Sequence, residues 1–192
     1  MMMKRFLTSV LLLSAAMFAT AFAATETWSV DPNHSTAQFT ARHFGIVPVV
    51  GTIPVKSAVV KLPSGSQIPI EVSAELDPSN VDTHNGMRDN DIRSAHYFDV
   101  ATYPNMTFQS TKITGTDPKH FTMIGNLTMH GQAHAVTLSA GVVGAGKSPR
   151  GRSIIAYAAT GTIDRTQWGM SFGPVIVGNS VDLSLNVEAD GP

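Results

Sequence analysis

The chain has 192 residues, of which 43% are hydrophobic and 14% charged, with a formal net charge of −1. No basic run offers the electrostatic footprint that nucleic-acid binding requires. There is no cysteine, so disulfides, thiol nucleophiles and a lipidated N-terminal cysteine are excluded, and stability must come from burial.

Residues 1–23 read as a secretory signal peptide. Lys4 and Arg5 precede an apolar run from Phe6 through Phe18, which ends in the small-residue pattern Ala21-Phe22-Ala23. The run is shorter than the ~20 apolar residues of a membrane helix. Removal after Ala23 is therefore expected, leaving no membrane span and a single domain over 24–192. That domain carries 11 Lys+Arg, since Lys4 and Arg5 leave a total of 13, against 14 Asp+Glu.

Period-two alternation dominates from there on. A strand is expected near 27–31. In "STAQFTARHF", Ala37, Phe39, Ala41 and His43 share one face, opposite Thr36, Gln38, Thr40 and Arg42. A further strand is expected over 51–61, and "PIEVSAEL" then alternates Ile70, Val72, Ala74 and Leu76 with polar residues. The alternation stops between Asp77 and Pro104, where Asn85 or Asp89 could cap a short helix near 87–95. It resumes near 105–113 and in "HFTMIGNLTM", with Phe121, Met123, Gly125, Leu127 and Met129 on one side. "HAVTLSAGVV" places Val136, Leu138, Ala140 and Val142 together, "SIIAYAATGTI" does so for Ile155, Tyr157, Ala159 and Ile163, and "SVDLSLNVE" for Val181, Leu183, Leu185 and Val187. Turn clusters such as "LPSGSQIP", "MHGQAH" and "GAGKSPRG" separate these runs. Eight or nine short antiparallel strands predict an all-β sandwich or closed barrel. Small residues on the inward faces, among them Ala37, Ala41, Gly125, Ala140 and Ala159, leave space inside such a barrel.

Several motifs invite chemistry. Gly141, Gly146, Lys147 and Ser148 match a phosphate-binding loop, but Pro149 and Gly151 replace the helix that loop needs. His130 and His134 have metal-like spacing, yet "HGQAH" reads as a turn between strands with no third ligand. "RDNDIRSAHYFD", Arg88 to Asp99, concentrates charge. It begins like a calcium loop and then fails, with Arg93 at the fifth position, Ser94 in place of glycine and Val100 in place of the bidentate glutamate. It is open to three readings: a structural ion-pair scaffold, a ligand's polar mouth, or acid–base chemistry. His43 is either a core histidine or a ligand contact. "IDRTQWGMSFG" crowds Arg165, Trp168, Met170 and Phe172 beyond a strand, as core packing or as a pocket rim.

Four segments together resemble the YceI-like polyisoprenoid-binding family: "WSVDPNHSTAQFTARHFG" (28–45), "NVDTHNGMRDNDIRSAHYFDVATYPNMTFQST" (80–111), "GNLTMHGQAHAVTL" (125–138) and "IDRTQWGM" (163–170). Ile53 departs from the phenylalanine common in that region. The resemblance implies a lipocalin-like, extended eight-stranded antiparallel barrel holding an isoprenoid-type lipid, non-enzymatic and periplasmic, with no other cofactor and no metal. A homodimer is compatible with it. Strand phase and motif position together nominate Phe39, Phe44, Phe108, Leu127, Met129, Tyr157, Trp168 and Met170 as apolar wall, and His43, Asp91, Arg93 and Arg165 as polar contacts. The alternatives are an enzyme on a lipid-like substrate, with His43 and Asp91 as acid–base pair, and an interaction module with a filled interior.

Overall fold

Ten strands form one antiparallel sheet in the computed structural model, which describes residues 24–192; the expected signal peptide lies outside the described residues. In chain order they are β1 (Thr25–Val30), β2 (Thr36–His43), β3 (Val47–Ile53), β4 (Val55–Pro63), β5 (Glu71–Leu76), β6 (Met106–Asp117), β7 (His120–Met129), β8 (Gln132–Lys147), β9 (Ser153–Asp164) and β10 (Val177–Asp190). One helix, α1 (Gly86–Arg93), lies between β5 and β6. The single strand expected over 51–61 is two strands, because Pro54 has no N–H to offer a ladder.

The ring runs β1-β4-β5-β6-β7-β8-β9-β10, eight strands, and closes where β1 returns to β10 through Ser29↔Asp190 and Val30↔Ala189. The expected barrel is therefore present. β2 and β3 extend it. β2 pairs with β10 from Asn186↔Thr36 to Val181↔Ala41, and β3 pairs with β2. β1 and β2 thus share one edge of β10, and the Asp-Pro-x-His-Ser element joins them there. Asp31 N donates to Glu188 O at 3.0 Å, and Glu188 N donates to Ser35 Oγ at 3.1 Å. Asp31 also caps the 3-10 turn Pro32–His34, accepting from Asn33 N at 2.8 Å, with His34 Nδ1 2.9 Å from its second oxygen. The hydrogen bonding along β10 passes from one strand to the other without a gap.

The alternating residues face inward as their periodicity predicts. Phe121, Met123, Leu127 and Met129 on β7, and Val136, Leu138 and Ala140 on β8, are all buried. Two alternating positions at strand ends are exposed: Ile70, which precedes β5, and His43, the last residue of β2. Glycine has a specific use at Gly125, where a Cβ would come within 2.3 Å of the Phe108 ring, and at Gly51, where it would meet Phe39 at 2.4 Å. Both aromatic rings lie against bare backbone.

The upper part of the barrel, at the end carrying the β2–β3 turn, is completed by the non-strand segment. Thr52 and Asp82 exchange backbone bonds of 2.9 and 3.0 Å, so β3 hands over to residues 81–83. α1 follows, starting one residue before the expected helix and ending two before it. Asn85 caps it by accepting from Arg88 N at 3.1 Å, and Ser94 terminates it. Met87 is exposed and Ile92 only half-buried, so burial of an apolar face does not hold the helix. A polar clamp does. The buried Asp89 carboxylate accepts from Thr83 Oγ1 at 2.6 Å and Thr83 N at 2.9 Å. Arg88 Nε donates to Thr83 Oγ1 at 2.7 Å, and Arg88 Nη2 to Thr83 O at 2.6 Å. This is the scaffold reading of the charged segment.

The Thr83 hydroxyl and amide hold the Asp89 carboxyl below the usual range, against the opposing effect of burial. A depressed carboxyl stabilises the fold fully above its unfolded pKa of ~3.9 and ceases to do so as pH falls through the folded value. Asp89→Ala should lower stability by about 2 kcal/mol at neutral pH, because Thr83 N is left buried without an acceptor. The gap from wild type in chemical denaturation should narrow below about pH 4.

Candidate functional site

The barrel holds two adjoining chambers. The lower has a volume of ≈ 170 Å³ and the upper of ≈ 520 Å³, and Phe39, Ile53, Met106, Leu127 and Leu183 border both. Ligand sites typically occupy about 300–1,000 Å³, so the filled interior of the third reading is not what the chain builds. β10 lies along the whole tunnel: Val177 borders only the upper chamber, Leu183 both, and Val187 only the lower. At ~3.3 Å per residue, Val177 to Val187 is roughly 30 Å of strand.

The lower chamber is walled almost entirely by apolar side chains, Val60, Val72, Leu138 and Leu185 among them. Its one ionisable group is Tyr157. The Tyr157 hydroxyl donates to Gln67 O at 3.0 Å, which ties β9 to the β4–β5 loop and satisfies the phenol; burial pushes its pKa up. Polar side chains collect instead around the upper chamber, namely His43, Asn85, Arg88, Asp91 and Arg165.

Arg165 is buried with no carboxylate partner. Its guanidinium donates to Met170 O, to Val177 O at 2.8 Å, to Gly178 O at 3.1 Å and to Asn179 Oδ1 at 3.4 Å. It therefore folds the 165–179 segment onto itself. Burial lowers its pKa, while the Tyr97 and Asp164 charges act in the opposite sense. The Tyr97 ring lies 5.6 Å below the guanidinium carbon and meets Phe172 edge-on at 6.1 Å. Phe172 in turn stacks on His96 at 3.9 Å, and His96 Nδ1 lies 2.9 Å from Asp91 Oδ1. One aromatic and charged chain thus links α1 to the segment before β10.

Of the nominated wall residues, Phe39, Phe108, Leu127, Met129, Tyr157 and Met170 border the tunnel. Phe44 does not: it sits exposed on the β2–β3 turn, one residue past the end of β2, where the strand alternation no longer applies. Trp168 does not either. It is fully buried behind the wall, its Nε1 donating to Leu127 O at 2.9 Å, so it plugs the core. Among the polar nominees, His43, Asp91 and Arg165 border the upper chamber, whereas Arg93 lies outside it and donates to Asn90 Oδ1 at 2.5 Å. The acid–base pair of the enzyme reading is not formed, because Asp91 is engaged by His96 rather than His43. Ile53, Met106, Leu183 and Leu185 were not nominated, although the alternation of "SVDLSLNVE" already placed the last two inward.

The other motifs resolve into structure. Gly141 to Lys147 are strand residues of β8. His130 Nδ1 donates to Trp168 O at 2.7 Å and His134 packs edge-on against the same indole, so their spacing serves Trp168. Among the described residues, the one group with metal-compatible donor spacing is Asp31, His34 and Glu188, already bonded into the β1–β2 joint. No helix among them is long and apolar enough to cross a membrane.

Comparison with known proteins agrees with this architecture. A UPF0312 protein of Staphylococcus epidermidis is 28% identical over 162 residues, covering 84% of this chain and 92% of its own. The solved structure of BcnA from Burkholderia cenocepacia superposes with a TM-score of 0.72 at 22% identity, over 83% of this chain and 98% of that one. A polyisoprenoid binding domain from Saccharophagus degradans, implicated in plant cell wall breakdown, has a TM-score of 0.60 at 14% identity, over 86% and 98%. At these identities the two structures establish a shared fold. The family model described as the YceI-like domain matches residues 28–189, nearly all of the barrel; the chain belongs to the YceI-like family.

Proposed function

We propose that the protein binds a long isoprenoid-type lipid, polyprenyl or quinone-like, without chemical turnover, and carries or sequesters it in the periplasm after residues 1–23 are removed. The observation that carries this reading is a pair of adjoining, largely apolar chambers inside the barrel, with the charged groups gathered around the upper one. A flexible chain enters the lower chamber, and its head stays near His43, Asp91 and Arg165. Burying a chain with ~300 Å² of apolar surface contributes roughly 7 kcal/mol before ordering costs. The fold shared with a polyisoprenoid binding domain supports the ligand class.

Organic extraction of the purified protein followed by mass spectrometry should recover a prenyl-containing molecule. Recovery of no hydrophobic molecule, together with no affinity for isoprenoid quinones, would overturn the proposal.

Ala159 borders the narrow lower chamber. Ala159→Phe should weaken binding of the longest chains by at least ~10-fold while shorter ones, held in the upper chamber, lose little. A loss independent of chain length would place the tail elsewhere.

His43→Ala should leave the recovered ligand chemically unchanged. A product made by wild type and absent from this variant would favour the acid–base reading.

A further inference from the structure

The upper chamber opens amid most of the large hydrophobic residues exposed among the described residues. Phe44 and Ile46 are exposed on the β2–β3 turn and Val47 at the start of β3, Met87 at the start of α1, and Val175 and Ile176 on the segment before β10. These elements meet. Phe44 N donates to Ile176 O at 2.8 Å, and His43, Met87 and Ile176 border the same chamber.

The turn is also conformationally costly. Phe44 and Gly45 both take positive φ, +51° and +71°, a geometry in which Asn-Gly or Asp-Gly is preferred and a bulky residue at the first position is an outlier. The chain nonetheless places an aromatic there, pointing into solvent. "FGIVPVV" (44–50) and "FGPVI" (172–176) contain no ionisable side chain, and each carries a proline, which has no N–H to leave unsatisfied in an apolar medium.

We propose that this end of the barrel docks on a lipid bilayer, its apolar tips entering the interfacial layer around the tunnel mouth. The choice of a bilayer rests on the lipid-binding reading. The patch surrounds the opening through which an isoprenoid tail must pass. A mouth pressed against the bilayer lets that tail move between two apolar phases without exposing its surface to water. Charge-free tips with neighbouring aromatic and branched side chains suit the interface, and exposed apolar patches of this kind mark contact sites.

The test is flotation with vesicles of phosphatidylcholine and phosphatidylethanolamine, lipids whose head groups carry no net charge. Wild type should float with them. The double variant Ile46→Asp/Val175→Asp should bind at least ~10-fold less, with an unchanged melting temperature because both positions are highly exposed. Ile70→Asp, exposed beside β5 and outside the patch, should float like wild type. Wild type that stays unbound at millimolar lipid, or a double variant that floats equally well, overturns the proposal. So does a double variant that loses self-association in sedimentation while its vesicle binding is unaltered, which assigns the patch to contact between copies. Cargo is read separately by extraction. A protein that yields prenyl lipid but never floats overturns docking alone, and one that floats but yields none overturns the cargo reading alone.

Discussion

The architecture depends on one shared edge. β10 gives one side to β9 from Ser180 to Asp190 and divides the other between β1 and β2. A strand edge left unpaired inside a sheet would strand backbone donors and acceptors. The Asp31–Ser35 joint prevents that with the two bonds around Glu188. Because the edge changes partner there, the ring closes tightly below and diverges above. Below, only two residue pairs join β1 to β10, yet they complete a ring whose core includes Trp28, Leu62 and Phe121. Above, β2 and β3 lean on the segment from Val81 to Phe98, and the space between becomes the larger chamber. Tunnel width therefore follows from the strand pairing.

The upper wall is held by polar contacts, unlike the lower one. The segment from Asp77 to Pro104 lacks the strand periodicity that would let it pair continuously, and α1 buries little apolar surface. The Arg88–Thr83–Asp89 clamp and the Asp91–His96–Phe172–Tyr97 chain supply the missing attachment. Arg165 does the same for the segment before β10, through backbone carbonyls in place of a carboxylate. Buried charges satisfied in this way fix loop geometry without filling the cavity, which an equivalent set of apolar side chains would do.

This division explains what was legible in the sequence. Strand phase was, since a period of two assigns each residue to a face and a one-residue slip would invert whole strands. Ala37, Leu127, Val136 and Leu185 all face the interior as their alternation requires. The failures came where period and contact separate. Phe44 lies one residue beyond its strand. Trp168 lies on a 3-10 turn, where no period says whether an indole lines a cavity or plugs the core. Arg93 shares α1 with Asp91 but points along the helix to Asn90. The Asp91–His96 pairing is local in sequence, but the stacking of His96 on Phe172 joins residues far apart in the chain, and no spacing rule reveals it. The split at Pro54 was readable, because a residue without an N–H cannot sit inside a continuous ladder.

The chemistry of the charged segment follows from where its charges are spent. Asp89 and Arg88 are bonded to Thr83, Asp91 to His96, and Arg93 to Asn90. Its polar contribution to the chamber is Arg88 and Asp91, beside His43 and Asn85, with Met87 and Ile92 adding apolar surface. Groups so engaged can accept or donate further hydrogen bonds at the upper chamber, while the lower chamber offers almost nothing polar. For the proposed amphiphile such a gradient favours one orientation, because the reverse would put the head among Val60, Leu138 and Leu185 with no partner for its polar atoms. In that orientation the head would lie at the end of the barrel that carries the apolar tips, so the proposed binding polarity and the exposed patch have a common origin in the partner change along β10.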